Sequence, residues 1–450
     1  MTDPRHVEAL TAAERDRFVA EHPRSRELFE RARQVMPGGV PMSWMVKWPG
    51  PFPVFVSEAT GAHFRDVDGH DYVDLCLGDT GAMTGHSPQP TVETVRDQVG
   101  HGITAMLPTE DAVVVAEELG RRFGLPLWQF TLSATDANRH AIRYARHLTG
   151  RRKIVVHDYC YHGSVDETFA TLDGSGRTVA RRGNIGPPVD PAETTTVVEF
   201  NDVAGLEVAL ASGDVAAVLC EPALTNVGIV LPDDGYHAAL RELTRRHDVL
   251  LIIDETHTLS AGAGGYTRAH DLEPDLMTMG KAIAGGIPAG AFGMSAEVAD
   301  RIAASVELED IDVGGIGGTL AGNALSLAAM RVTLAEVLTE EAYARMLPLG
   351  NRWADGVDAG IARHGLGWHC NRLGARAEYT FTPTAPRTGA EAHAAGDFAL
   401  EQFLHLFALN RGILLTPFHN MALMSPATTE ADVDRHTEVF SDALDALATA

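Results

Sequence analysis

Short apolar segments alternate with longer amphipathic ones from about residue 90 to residue 325, and this alternation constrains the fold more than any other feature. The strand candidates are Gln129 to Leu132, Lys153 to Val156, Thr196 to Phe200, Val215 to Leu219, Val249 to Ile253 and Leu276 to Met279. Helical stretches such as Thr91 to Val99, Ala112 to Phe123 and Gly235 to Arg246 lie among them. Repeated strand-then-helix units build a mostly parallel sheet covered on both faces, which places the chain in the α/β class. Ligands of such sheets bind at the carboxyl ends of the strands.

The flanks read differently. Residues 1 to about 36 have helical periodicity, with Leu28, Phe29, Ala32 and Val35 recurring until Pro37-Gly38-Gly39 stops them. A Pro- and Gly-rich loop follows that carries Trp44, Met45, Trp48 and Phe52. Residues 54 to 75 alternate around the turn signals Thr60-Gly61 and Asp68-Gly69, as a β-meander does. Thr171 to Thr195 is rich in Gly, Pro and Arg and reads as a long surface loop. After about 325 the chain turns to Ala- and Leu-rich helix, Glu341 to Val357 among it, and ends on a helix from Glu430 to Ala448. The expected organisation is an N-terminal segment, 1–75, joined to a small C-terminal domain, 326–450, with a large domain, 76–325, between them.

Composition excludes some partners. The 450 residues carry a net charge of −25, and the 36 Lys and Arg form no long basic run, so nucleic acid and anionic membrane are poor partners. No apolar run approaches the roughly 20 residues that span a bilayer, and the charged N-terminus lacks an apolar signal core. Cys76, Cys160, Cys220 and Cys370 are too far apart for a zinc site, so no metal is expected. Buried free thiols fit a cytoplasmic protein.

The chemistry concentrates between Val249 and Gly286. One apolar strand ends on Asp254, and a second delivers Lys281 into a glycine-rich turn, 27 positions further on. A lysine in apolar surroundings is a nucleophilic amine, and a carboxylate closing a buried strand needs a cationic partner. Pyridoxal phosphate uses both, the lysine for a Schiff base and the carboxylate to hold the ring nitrogen protonated. A cap for the segment after the strand is a competing explanation of Asp254, but a charge directly after five apolar residues is costly without a partner. Ser133-Ala134-Thr135-Asp136 opens a helix, and the N–H groups of Ala134 and Thr135 with the Thr135 hydroxyl suit either a phosphate or a plain helix cap. Tyr161, past a strand end, could stack on a ring or cap the core. Glu221 puts another carboxylate at a strand end, and Thr319 follows a glycine-rich loop that could donate to a phosphate.

The segments MPGGV, DVDGHDYVDL, GHSP, TGRRKIV, YHG, EP…N.G, DE.H, PDL…GK…GG.P.GAFG and GGTLAGN occur in one order. In that set, from about Pro37 to its C-terminus, the chain resembles the class III (subgroup II, fold type I) pyridoxal phosphate aminotransferases. That group holds ω-amino acid and amine transaminases and glutamate-1-semialdehyde aminomutase. The resemblance implies a central sheet sandwiched by helices with a smaller α+β C-terminal domain. It implies Lys281 as Schiff-base lysine and general base, and Asp254 as pyridinium partner. Ser133, Ala134 and Thr135 fall at the phosphate, and Tyr161 on the ring. His162, Glu221, Thr256 and His257 fall beside them. Asn226 matches the Asn of the Glu-Pro segment. Thr319 becomes a phosphate ligand given by a second subunit, which implies a homodimer. Two departures stand out: Ala134 replaces the usual glycine, and Thr256 the usual valine.

Carboxylate-binding relatives present an arginine from the early or a late loop. Here the early loop has Met42, Trp44, Lys47 and Trp48, and the late one Phe418 and His419. Arg376 either serves an acid substrate or pairs with an acid such as Glu378. A pocket with Trp44, Trp48 and Phe418 suits an apolar amine. The expected reaction is therefore amino transfer from an amine or a β- or ω-amino acid to a 2-oxo acid such as pyruvate or 2-oxoglutarate, by a ping-pong path. The alternative is an aminomutase, which MPGGV and EPALTNVG also resemble. A dinucleotide-dependent dehydrogenase would also be α/β, but no G-x-G-x-x-G follows a first strand here, which argues strongly against it.

Overall fold

The computed structural model describes residues 3–307, 310–311 and 313–449. The chain forms two compact units. One comprises Met1–Pro88, Glu341–Ala385 and Ala395–Ala450, and the other Gln89–Glu340 and Pro386–Ala394.

The first unit begins with α1 (Pro4–Glu21) and α2 (Pro23–Ala32), then a meander of β1 (Val56–Thr60), β2 (His63–Asp66) and β3 (Asp71–Asp74). Both hairpin pairs are antiparallel, as alternation around Gly61 and Gly69 predicts. The helical periodicity of residues 1–36 covers two helices rather than one. Pro23 cannot donate an N–H to continue α1. At the break His22 is buried, its Nδ1 donating to Phe18 O (2.7 Å) and its Nε2 meeting Tyr72 Oη (2.8 Å). Phe18, Phe52, Phe64 and Tyr72 form the local core with Leu406 and Leu409.

The second unit carries α3 (Gln89–His101), α4 (Glu110–Phe123), β4 (Leu127–Thr131), α5 (Ala134–Thr149) and β5 (Lys153–His157). A hairpin of β6 (Ala170–Leu172) and β7 (Thr178–Ala180) leads to β8 (Thr195–Val198) and α6 (Val203–Leu210). Then follow β9 (Val215–Cys220), α7 (Tyr236–Arg246), β10 (Leu250–Asp254), α8 (Gly265–Ala269), β11 (Leu276–Met279), β12 (Gly290–Met294), α9 (Ala296–Ser305) and α10 (Ala324–Val332). The seven-stranded sheet has the order β4-β12-β11-β10-β9-β5-β8. Strands β11, β10, β9, β5 and β8 pair in parallel, while β12 runs antiparallel to both of its neighbours. Every residue of β9, β10 and β11 is buried, as strands covered on both faces must be. The site residues of this unit follow the carboxyl ends of β4, β5, β9, β10 and β11.

Residues 171–195, read as irregular, contain the small β6–β7 hairpin. The compositional change near 325 does not mark the unit boundary, which falls at 340. Helix α10 has seven buried residues, Leu327 to Met330 among them, and belongs with the sheet.

The first unit resumes with α11 (Glu340–Arg363), β13 (His369–Leu373) and β14 (Arg376–Thr380). A short α12 (Gly389–Ala394) belongs to the sheet unit, and α13 (Phe398–Leu409), β15 (Ile413–Leu414), β16 (Met421–Leu423) and α14 (Glu430–Ala448) complete the chain. Strand β15 adds in parallel to β3, so early and late segments share a sheet. All four cysteines are free and buried. Among the described residues no helix is long and apolar enough to cross a membrane.

Candidate active site

Asp254 ends β10 with its carboxylate already committed. Oδ1 accepts from Thr256 N (3.0 Å), and Oδ2 accepts from Asn138 Nδ2 (2.8 Å) and His162 Nδ1 (2.9 Å). Three of roughly four acceptor positions on an ionised carboxylate are thus filled, and one remains for a further donor. Burial alone would raise the Asp254 pKa, but His162, Thr256 and Asn138 outweigh it and hold the group well below the usual carboxylate range. His162 is shifted the other way. Burial opposes its charge, yet Cys160 and the Asp254 carboxylate raise it far above an ordinary imidazole. The arrangement is a buried carboxylate kept ionised by a cation and two neutral donors.

Asn138 has no part in the sequence-derived set, although it is essential to this network. It is fully buried in α5, donates also to His162 O (3.1 Å), and accepts from Thr278 Oγ1 (2.6 Å) on β11. The visible signal was an amide on the same helix face as Ala137, Ala141 and Ile142. A polar group there must have partners.

Lys281 opens the turn after β11 at φ 52°, a left-handed conformation uncommon for a side chain with a Cβ. Such strain persists where the surroundings dictate it. Gly280, the residue before Lys281, is also constrained. A Cβ there would stand 2.8 Å from Ala134 N, so the lysine-bearing turn presses on the first residue of α5. Lys281 Nζ lies 2.8 Å from His257 Nε2. His257 therefore sits on the lysine, which its spacing of 24 residues gave no means of seeing.

At the start of α5, Ser133 is the N-cap, its Oγ accepting from Asp136 N (3.3 Å) and facing Asp136 Oδ2 (3.0 Å). That occupies the Ser133 hydroxyl and turns Asp136 back onto the cap. Thr135 Oγ1 accepts from Ser164 N (3.1 Å), which leaves its own proton to donate outward. The helix terminus with the N–H groups of Ala134 and Thr135 has the donors that an anion cradle would need. Gly163 keeps it open, for a Cβ there would fall 2.1 Å from Thr135 Oγ1. These residues fit pyridoxal phosphate: a phosphate cradle, a carboxylate with a vacant acceptor position, and an amine. All three lie in one unit.

Around them, Tyr161 is 41 % exposed beside buried His162. Glu221 is buried and hydrogen-bonded to Thr225, and burial raises its pKa to about 6. Asn226 Nδ2 donates to Tyr159 O (2.8 Å), tying the loops after β9 and β5 together. Thr319 is exposed and lines a cavity of about 570 Å³ with Thr104–Pro108.

The expected substrate-pocket residues belong to the other unit. Trp44 and Trp48 line an apolar cavity of about 330 Å³, with Asp74 and His86 among its few polar residues. Lys47 Nζ stands 5.1 Å from the centre of the Phe418 ring. Arg376 is completely buried, donates to Thr80 Oγ1, and is not a surface cation. His419 Nδ1 meets Glu378 Oε1 at 3.2 Å.

Residues 45–444 match the family model described as aminotransferase class-III. A glutamate-1-semialdehyde 2,1-aminomutase of Akkermansia muciniphila is 34 % identical over 431 residues, covering 94 % of this chain and 99 % of that one. The crystal structure of a glutamate-1-semialdehyde-aminomutase from Pseudomonas aeruginosa PAO1 is 52 % identical, with a TM-score of 0.97 over 99 % of both chains. An omega-transaminase from Sphaerobacter thermophilus is 30 % identical, with a TM-score of 0.85 over 94 % of this chain and 98 % of that one.

Proposed function

The chain belongs to the class-III aminotransferase family, a fold type I group that uses pyridoxal 5'-phosphate, and from that premise we propose that it moves an amino group within one molecule, as a glutamate-1-semialdehyde 2,1-aminomutase does. The observation that carries this reading is the likeness to the Pseudomonas aminomutase, at 52 % identity over 99 % of the chain. It favours the aminomutase over the intermolecular transaminase that the composition of the loops predicts.

Bound at the site, pyridoxal phosphate supplies an electron sink for the bonds of the amino-bearing carbon and takes up and returns the amino group. Lys281 holds the cofactor through Nζ and, once displaced, moves the proton of that carbon. Asp254 keeps the ring nitrogen protonated through its vacant acceptor position, with His162 and Asn138 fixing its orientation. Ala134 N, Thr135 N and Thr135 Oγ1 hold the phosphate. Thr319 serves the phosphate of a second copy, so the active form is a homodimer. Four buried free thiols support a cytoplasmic location.

A second reading rests on one observation. The early loop exposes Trp44 and sets Lys47 on Phe418 without an arginine, which suits an amine donor with an oxo acid acceptor.

The experiment supplies holoenzyme in its amino form with glutamate 1-semialdehyde alone. The expected product is the isomer with the amino group on carbon 1, formed without any oxo acid and lost in Lys281→Ala. Turnover of aromatic amines or β-amino acids with pyruvate, and none of the semialdehyde, would establish the transaminase instead.

A further inference from the structure

A lysine that captures a carbonyl must first give up a proton, and the acceptor of that proton is identifiable in this fold. Lys281 Nζ and His257 Nε2 are 2.8 Å apart, a distance that requires one hydrogen between two nitrogens. The carboxylates just before His257 are turned elsewhere. Asp254 is held by His162, Asn138 and Thr256, and Glu255 by Thr258 Oγ1 (2.5 Å), Tyr266 N (3.2 Å) and Thr267 N (2.5 Å). His257 itself is anchored, since its carbonyl accepts from Ser260 N (3.3 Å) and Ser260 Oγ (3.1 Å).

We propose that His257 is the proton acceptor that makes Lys281 a nucleophile, its Nε2 taking and returning the third ammonium hydrogen of Lys281. The inference rests on the reading of Lys281 as the residue that captures pyridoxal phosphate. In the capture, the bond from Nζ to the aldehyde carbon forms and the carbon–oxygen bond breaks. Two hydrogens of the nitrogen leave with that oxygen as water, and the third passes to Nε2. Nothing is oxidised or reduced. When a donor amine displaces Lys281, the two hydrogens of that amine pass to Nζ and leave a neutral lysine able to take the proton of the amino-bearing carbon. The proton held on Nε2 returns to Nζ by the same contact once that proton has been passed on, so His257 and Lys281 exchange one proton through each cycle. An imidazole is suited to this because it changes charge near neutral pH.

Two measurements on the apo-protein test this. The first is an NMR titration of protein labelled at histidine Cε1, with the His257 signal assigned by its loss in His257→Gln. A neighbouring ammonium disfavours a second cation, so the midpoint of His257 is expected to rise by about one pH unit or more in Lys281→Met. Coincident midpoints would overturn the proposal. The second follows capture of added pyridoxal phosphate by absorbance, with borohydride reduction and mass analysis to locate the adduct. His257→Gln still accepts a hydrogen bond from Lys281 but takes no proton. It is expected to capture about 100-fold more slowly at pH 7 and to approach the wild-type rate near pH 10. A wild-type rate for this variant at pH 7 would reduce His257 to a positioning residue and reject the inference. No adduct on Lys281 in the wild-type protein would reject the cofactor reading itself, a different result from either outcome for His257.

Discussion

The smallest residue in the site sets one of its tightest tolerances. Gly163 adopts φ +76°, and a methyl there would overlap the Thr135 hydroxyl. Gly163→Ala is therefore strained in its own backbone and displaces the Thr135 hydroxyl, the proposed phosphate donor. It is expected to weaken binding of pyridoxal phosphate by about tenfold or more, equivalent to roughly 1.4 kcal/mol. Titration of the apo-protein followed by absorbance checks this, and an unchanged dissociation constant would remove Thr135 from the cradle. Asn138 makes a complementary case without the cofactor. Asn138→Ala leaves the buried Asp254 carboxylate one donor short and strands Thr278 Oγ1. Loss of one partner of a buried charge leaves a desolvation penalty, so the apo-protein is expected to lose about 2–4 kcal/mol, measurable by urea unfolding.

At the scale of elements, the strands that carry the site were legible in the sequence because they are continuous apolar runs ending on charge. Leu276–Met279 has the expected bounds, and β10 ends on Asp254. Strand β12 was not legible. Its glycines carry no periodic signal, yet they are demanded by packing: a Cβ on Gly293 would meet the Trp128 ring at 2.7 Å, and one on Gly290 would meet Ser133 O at 2.4 Å. The site divides similarly. Lys281 and Asp254 stood out by local context, whereas the contacts of Asn138 and His257 depend on how distant segments meet.

Helix α13 offers a test of the same kind of placement. Burial, and after it the negative charge of Glu378, push Glu401 up to about 7. A carboxyl whose folded pKa exceeds its unfolded value of 4.5 binds its proton more tightly in the folded state, so wild-type stability falls as pH rises from 4.5 through 7. Glu401→Gln imitates the protonated form at every pH. Its advantage over wild type is expected to grow by about 1–2 kcal/mol between pH 4 and pH 8, after allowing for partial exposure. Urea unfolding at the two pH values reads the change, and an unchanged gap would contradict the burial of the Glu401 carboxyl.

Over the whole molecule, charge is the term that local contacts leave unbalanced. With 61 acidic residues against 36 Lys and Arg, the formal excess is 25 negative charges when the histidines are counted neutral. Pairs such as Arg352–Asp434 and Arg363–Asp445 lie at the surface. Exposed pairs contribute about 0–1 kcal/mol each, and salt weakens them. The excess negative charge acts over longer distances. At 0.01 M ionic strength the screening length is about 30 Å, so repulsion extends across much of a domain; at 0.15 M it is about 8 Å. Unfolding relieves that repulsion by separating the charges, which makes low salt the destabilising condition. Two opposing effects therefore meet, and the number of uncompensated charges decides between them. The melting temperature of the apo-protein is expected to rise by a few degrees from 0.01 to 0.15 M sodium chloride, on the order of 2–4 °C for each kcal/mol of relieved repulsion. A melting temperature that falls steadily with salt would mean that the surface pairs outweigh the net charge, and that the basic residues are placed well enough to offset the acidic excess around them.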